Sequence, residues 1–204
     1  MASDSYLKRP LTQVRRKDRR LDDVEWQDRL LRTAAVGHLA LGWEGQPLLH
    51  SNLYWYDGQA VYLHTAGAGR LRALLEAGPR PACWTAVEHG RILPARTPFD
   101  FSTEYASIIL YGTAELVTDP AEKRRALEGL MAKYAPHLTA GVDYEPMPDR
   151  DIDLTSVIRL TIAERVSKHN IKPEAYDAYP YPGGSFIAAE RAAGRVTLKA
   201  KELA

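Results

Sequence analysis

Hydrophobic spacing changes period along this chain, and the changes mark its elements. In "LDDVEWQDRLLRTA", Val24, Leu30 and Leu31 recur at helical spacing behind Asp22 and Asp23, two residues suited to an N-cap, so a first helix is predicted. The period then drops to two. "HLALGW" sets Leu39, Leu41 and Trp43 on one side, "EGQ" reads as a turn, and "PLLHSNLYWY" is rich in residues that suit strands. Asp57-Gly58 signals a two-residue hairpin with "QAVYLHT" as its returning strand. Three strands so closely spaced predict a meander.

A helix beginning near Gly69 ends at Gly78-Pro79, and "RPACWTAVEHGRILPA" predicts two strands turning at His89-Gly90. "EYASIILYGTAELV" is long and β-branched at its centre, which predicts a strand with Gly112 at a bulge or bend. In "TDPAEKRRALEGLMAKYAP", Asp119 is placed to cap, Pro120 to open the helix, and Leu127, Leu130, Met131 and Tyr134 to form its apolar face. The polar loop "HLTAGVDYEPMPDRDID" leads to a last strand, "TSVIRLTIAERVSKH". Beyond Asn170 the tail "KPEAYDAYPYPGG" is extended and turn-rich, and "FIAAERAAGRVTLKAKELA" reads as a short helix or an arm. Six or more strands in meander order with two or three helices predict a mostly β, predominantly antiparallel barrel with flanking helices, not a parallel sheet.

Composition narrows the picture. With 204 residues, 45% of them hydrophobic, the chain can bury an ordinary core, and a formal net charge of +1 provides no global field for nucleic acid or membrane. Charge is uneven, however: Lys8, Arg9, Arg15, Arg16, Lys17, Arg19 and Arg20 face only Asp4 and Asp18 within residues 1–20. No aromatics interleave with these basic residues, so the arm reads as solvated or folded over a neighbouring subunit rather than bound to nucleic acid. Cys83, the single cysteine, leaves no internal disulfide. No run approaches the ~18 apolar residues of a membrane span, and "MASDSYLKRP" lacks the apolar core of a signal peptide; a soluble, cytoplasmic protein is expected.

The candidate chemistry gathers at the strand-to-helix joint "AVYLHTAGAGRLRALLE". A dinucleotide fingerprint fails there, because Arg72 occupies the third glycine position and Glu88 falls in a hairpin. A P-loop fails for want of Gly-Lys-Ser/Thr. What remains is a hydroxyl at Thr65, a backbone free of side chains from Gly67 to Gly69, and a charged fork at Arg70, which together suit an anion of phosphate size. His38, His50 and His64 lie on consecutive predicted strands, but neither HExxH nor a Cys-His pair accompanies them, so no metal site is assigned. Trp43, Trp55 and Trp84 read as core or interface, and Ser185 lacks the Gly-x-Ser-x-Gly setting of a hydrolase nucleophile.

The order of motifs resembles the pyridoxamine-phosphate-oxidase-like flavin-binding proteins, in particular the nitroimidazole-resistance (Nim) type reductases. Those carry a basic arm, a capped helix, "G-x-L-A", "dG-x-P", a strand ending near Asn-x-Tyr, "Y-x-H", a Gly-Lys/Arg helix start and a "Y-x-S-V-x-x-x-G-x-A" strand. Here the matching stretches are "RRKDRRLDD", "GHLAL", "EGQPLLHSNLYWY", "VYLH", "GRL" and "YASIILYGTAELVTDPAEKRRAL", with Ile108 in place of the usual Val. The resemblance implies an FMN-binding split β-barrel over residues 21–169, preceded by the arm of residues 1–20 and followed by an extension, 170–204, packed on the barrel or on a partner subunit. It further implies a homodimer with FMN at the interface, its phosphate at Thr65, Gly69 and Arg70 and its ring flanked by His50, Ser51, Asn52, Leu53, Leu63 and His64, with Ser107 reaching the cofactor. His50 stands where many members have Pro or Val, and Arg70 where Lys is frequent. The implied activity is reduction of a small planar acceptor such as a nitroaromatic, with His64 as proton donor or orienting group; the alternative is a flavin- or haem-binding sensor, store or regulator without turnover.

Overall fold

A computed structural model describes residues 9–182 and 184–197. The first eight positions of the basic arm and positions 198–204 of the extension lie outside the described residues. In chain order the elements are α1 (Val24–Thr33), β1 (Gly37–Trp43), β2 (Gln46–Asn52), β3 (Trp55–Tyr56), β4 (Ala60–Thr65), α2 (Arg70–Glu76), β5 (Arg80–Leu93), β6 (Ser102–Leu116), α3 (Pro120–Tyr134), α4 (Asp149–Leu154), β7 (Ser156–Asn170) and α5 (Ser185–Ala192). Short 3₁₀ turns occur at Lys17–Arg19 and Pro98–Asp100.

The strands form a mostly antiparallel sheet in the order β2-β1-β5-β6-β7-β4-β3. The expected local meander is therefore not formed: β2 and β3 stand at opposite ends of the order. Two pairings explain the separation. β1 pairs with β2 from Gly37↔Asn52 to Trp43↔Gln46, while β4 pairs along its whole length with β7, from Ala60↔Thr161 to Thr65↔Ser156. Between them, Leu53 and Tyr54 leave the ladder, and the Tyr54 N–H bonds to the Tyr134 hydroxyl at 3.0 Å instead of to a strand. The Asp57-Gly58 signal does mark a hairpin, whose tip is held by the Asp57 carboxylate accepting from the N–H groups of Gln59 and Ala60.

The chain divides into two compact units, one comprising the residues up to Ala34, Val87–Ile109 and those from Glu164 on, the other Ala35–Ala86 and Leu110–Ala163. In the first, Asp23 caps α1 through the Trp26 N–H, and the helix buries Trp26, Gln27, Leu30 and Leu31. Val24, expected on that face, is exposed: it opens the helix about two turns before Leu31, ahead of the residues that are buried. Trp26 meets Phe186 edge-on at 5.4 Å. The turn expected at His89-Gly90 is absent, and β5 runs unbroken through it. Gly90 serves close packing: a Cβ there would lie 3.0 Å from Ile187 and 3.1 Å from Glu104.

That carboxylate organises the unit. Glu104 is wholly buried, and it accepts from the Arg91 guanidinium at 3.0 Å, from Arg191 at 2.7 Å and from the Lys172 N–H at 2.8 Å. Burial alone would raise its pKa, but these bonds outweigh burial and hold the carboxyl at about 2. Arg91 also donates to the carbonyls of Lys172, Pro173 and Glu174, so one buried carboxylate fastens the start of the C-terminal extension to β5 and β6.

In the second unit, β1 alternates as expected, with Leu39 and Leu41 buried. Gly112 lies within the continuous β6, and a Cβ there would stand 1.9 Å from the Thr161 carbonyl oxygen, so the glycine admits close approach of β7. Asp119 caps α3 through the N–H groups of Ala121 and Glu122. α4 occupies part of the stretch expected to be loop, and Ile152 joins Leu127, Leu130, Tyr62 and Val157 in one apolar cluster.

Candidate functional site

The end of β4 and the start of α2 form an exposed joint. Gly69 caps α2 with φ of 128°, a region that favours glycine, and the position a Cβ would take is open space. Gly67 has a packing role, since a Cβ there would lie 2.6 Å from the Leu154 carbonyl oxygen. Thr65 is half-buried and faces its cross-strand partner Ser156. Arg70 is exposed, and its guanidinium lies 4.8 Å from the centre of the Trp43 ring. Among the described residues Arg70 is in no ion pair. Arg72 donates to the Ser156 hydroxyl at 2.8 Å and to Glu76 at 2.8 Å.

The β1–β2 hairpin presents one of its sides to this joint. Asn52 donates from Nδ2 to the His64 carbonyl, and Trp43 receives Arg70, so both ends of the joint are tied to that hairpin. Strand alternation then sorts the residues expected to flank a ring. His50 stands opposite Leu39 and Asn52 opposite Gly37, and their side chains approach each other at 3.4 Å. Ser51 stands opposite His38 on the other side of the hairpin, where its hydroxyl and His38 Nδ1 are hydrogen-bonded at 2.8 Å. Leu53 lies beyond the strand and is exposed, whereas Leu63 is buried at 2% exposure. In β4 the same alternation turns Leu63 and Thr65 one way and His64 the other. Ser107 lies on β6 in the first unit, where its hydroxyl bonds to the Lys168 carbonyl at 3.4 Å.

Partial desolvation pushes the pKa of His64 below its usual value, so its imidazole is neutral at pH 7. Trp43, expected in the core or at an interface, and Arg72, noted only as breaking a dinucleotide fingerprint, also belong to the joint, as does Ser156, which the sequence did not single out. Arg72 could have been suspected from its nearness to Arg70; Ser156 could not, because only the β4–β7 register places it beside Thr65.

At the other end of β4 a cavity of about 550 Å³ is lined by Asp57, Tyr62, Glu122, Arg125 and Arg159 among others. Its charges are spent on one another. Arg125 donates to Asp57 at 2.9 Å and to the Tyr62 hydroxyl at 2.8 Å, Tyr62 donates to Glu122 at 2.9 Å, and Arg159 donates to Glu122 at 2.8 Å and to Glu115 at 2.9 Å.

A mostly antiparallel seven-stranded sheet with flanking helices and an exposed strand-to-helix joint defines this chain as a protein of the split-barrel class. It belongs to the pyridoxamine 5'-phosphate oxidase family, whose model matches residues 23–168. Solved structures agree. The flavocytochrome Anf3 from Azotobacter vinelandii is 27% identical with a TM-score of 0.67 over 87% of this chain and 78% of its own. An FAD and haem binding protein from Mycobacterium smegmatis is 23% identical with a TM-score of 0.65 over 84% of this chain and 79% of its own. A candidate 5-nitroimidazole antibiotic resistance protein from Bacteroides thetaiotaomicron is 18% identical with a TM-score of 0.61 over 74% of this chain and 86% of its own. No curated protein matches the chain. Among the described residues no helix is long and apolar enough to cross a membrane.

Proposed function

We propose that this protein is an FMN-binding oxidoreductase that holds the cofactor phosphate at the β4–α2 joint and reduces a small planar acceptor, with nitroaromatics as the first class to test. The observation that carries the reading is the joint itself: a hydroxyl, an open glycine and a guanidinium outside any ion pair, in a chain of a family named for pyridoxamine-phosphate oxidation. These residues fit a flavin phosphate. Thr65 and Arg70 would bond it, and Gly69 leaves room for it. Bound flavin supplies electron and hydride transfer. The chain supplies orientation: His50 and Asn52 present polar groups toward the joint, and neutral His64 donates a hydrogen bond to an acceptor. Ser51, Leu53, Leu63 and Ser107 enter the cofactor shell on family resemblance alone. A homodimer with FMN at the interface completes the proposal, since a flavin ring needs walls to exclude water.

The deciding experiment is an absorption spectrum of the purified protein, followed by addition of NAD(P)H and then of a nitroaromatic. A flavin spectrum bleached by the donor and restored by the acceptor supports the enzyme. The likeness to a flavocytochrome favours a second reading, a flavin- and haem-binding protein without turnover. A haem band in the same spectrum, with no response to NAD(P)H, would establish that instead. Light scattering at dilute concentration tests the dimer, and a monomer retaining stoichiometric flavin would refute the interface site.

A further inference from the structure

Arg72 is the joint's second guanidinium, and its surroundings give it a different task from Arg70. Ser156, its partner at 2.8 Å, is 1% exposed and is the cross-strand neighbour of Thr65. Cross-strand neighbours point to the same side of a ladder, so the buried hydroxyl draws the Arg72 side chain toward the Thr65 hydroxyl. Arg70 is instead drawn over Trp43. Because α2 has only seven residues, the positive charge available at the joint resides in these side chains rather than in the helix.

We propose that Arg72, tethered by Ser156, is the residue that makes this joint specific for a phosphate monoester, gripping the terminal phosphate of FMN together with Thr65 while Arg70 closes the rim. The inference rests on the flavin reading above. Arg72 spends its Nε on Glu76 and one Nη1 proton on Ser156, so of the five N–H groups of a guanidinium its Nη2 pair remains free for a phosphate. Its pair with Glu76 is half exposed and of the kind worth little in water, so an incoming dianion displaces it readily.

Fluorescence titration of FMN, FAD and riboflavin against wild type, Arg72→Ala, Arg72→Gln, Ser156→Ala and the Arg72→Ala/Ser156→Ala double variant tests the proposal, with melting curves to confirm folding. Loss of a charge-assisted bond weakens FMN binding by roughly tenfold or more in both Arg72 variants, and riboflavin binding stays unchanged. FAD loses less than FMN, because a terminal monoester carries more charge than a bridging phosphate. Ser156→Ala gives a smaller loss, and the double variant is no weaker than Arg72→Ala alone, because Ser156 acts through Arg72. If folded Arg72→Ala and Arg72→Gln bind FMN as wild type does, the proposal is overturned and the flavin reading stands. If wild type binds none of the three flavins, both fall.

Discussion

Around Glu104 two guanidinium groups and two backbone N–H groups converge on one wholly buried carboxylate, whereas around Thr65 the guanidinium groups of Arg70 and Arg72 meet no buried carboxylate among the described residues. The residue types are similar, and the difference is what burial has done to them. An ion taken out of water must be paired and hydrogen-bonded or its desolvation cost goes uncompensated, so the first cluster is saturated and holds the chain together. The second remains at the surface, keeps donors unspent, and can exchange water for a ligand. The network of Tyr62, Glu122, Arg125 and Arg159 stands between the two: it lines a cavity, yet its charges are already paired with one another. The two ends of β4 thus differ in kind: one holds a cavity whose charges are paired, the other holds donors left unspent.

The contrast can be broken most severely at Glu104. Glu104→Gln leaves two mostly covered arginines short of their counter-charge and should cost about 3 to 5 kcal/mol, read as a fall in melting temperature of roughly 10 °C. The sign with pH follows from the depressed pKa. This carboxylate stabilises the fold fully above its ordinary value of 4.5 and progressively less as pH falls toward about 2, and the variant should lack that acid limb. At the joint, Arg70→Ala should leave the melting curve unchanged and weaken FMN binding by roughly tenfold, with riboflavin unaffected. Equal FMN affinity in the two proteins would move the phosphate away from Arg70.

Smaller effects sharpen the comparison. His64→Ala should retain flavin and reduce nitroaromatic turnover by about fivefold, the worth of one neutral hydrogen bond. Because the neutral imidazole is the form proposed to orient the acceptor, wild-type turnover should fall as pH drops through the lowered His64 pKa, and the variant should lose that dependence. Tyr62→Phe should cost about 1 kcal/mol of stability by removing a hydroxyl that bonds both Glu122 and Arg125, with no change in flavin affinity. A changed affinity would show that the paired cavity communicates with the joint.

Local rules were enough to find most elements of this protein. Asp23 and Asp119 as caps, the β1 alternation, the helix at Gly69 and the Thr65-Gly69-Arg70 stretch were all legible, because caps, alternation and chain reversals are set by residues within a few positions of one another. Pairing partners were not. β4 joins β7 rather than β2, and Gly90 and Gly112 make room for Ile187 and for the Thr161 carbonyl. Each of these depends on register between segments far apart in the chain, and a shift of one residue in register reverses which side chains face which side. For the same reason the sequence could offer Arg70 as an anion ligand, while only the tertiary structure set Arg72 on Ser156, the cross-strand neighbour of Thr65 and 84 positions from Arg72 along the chain.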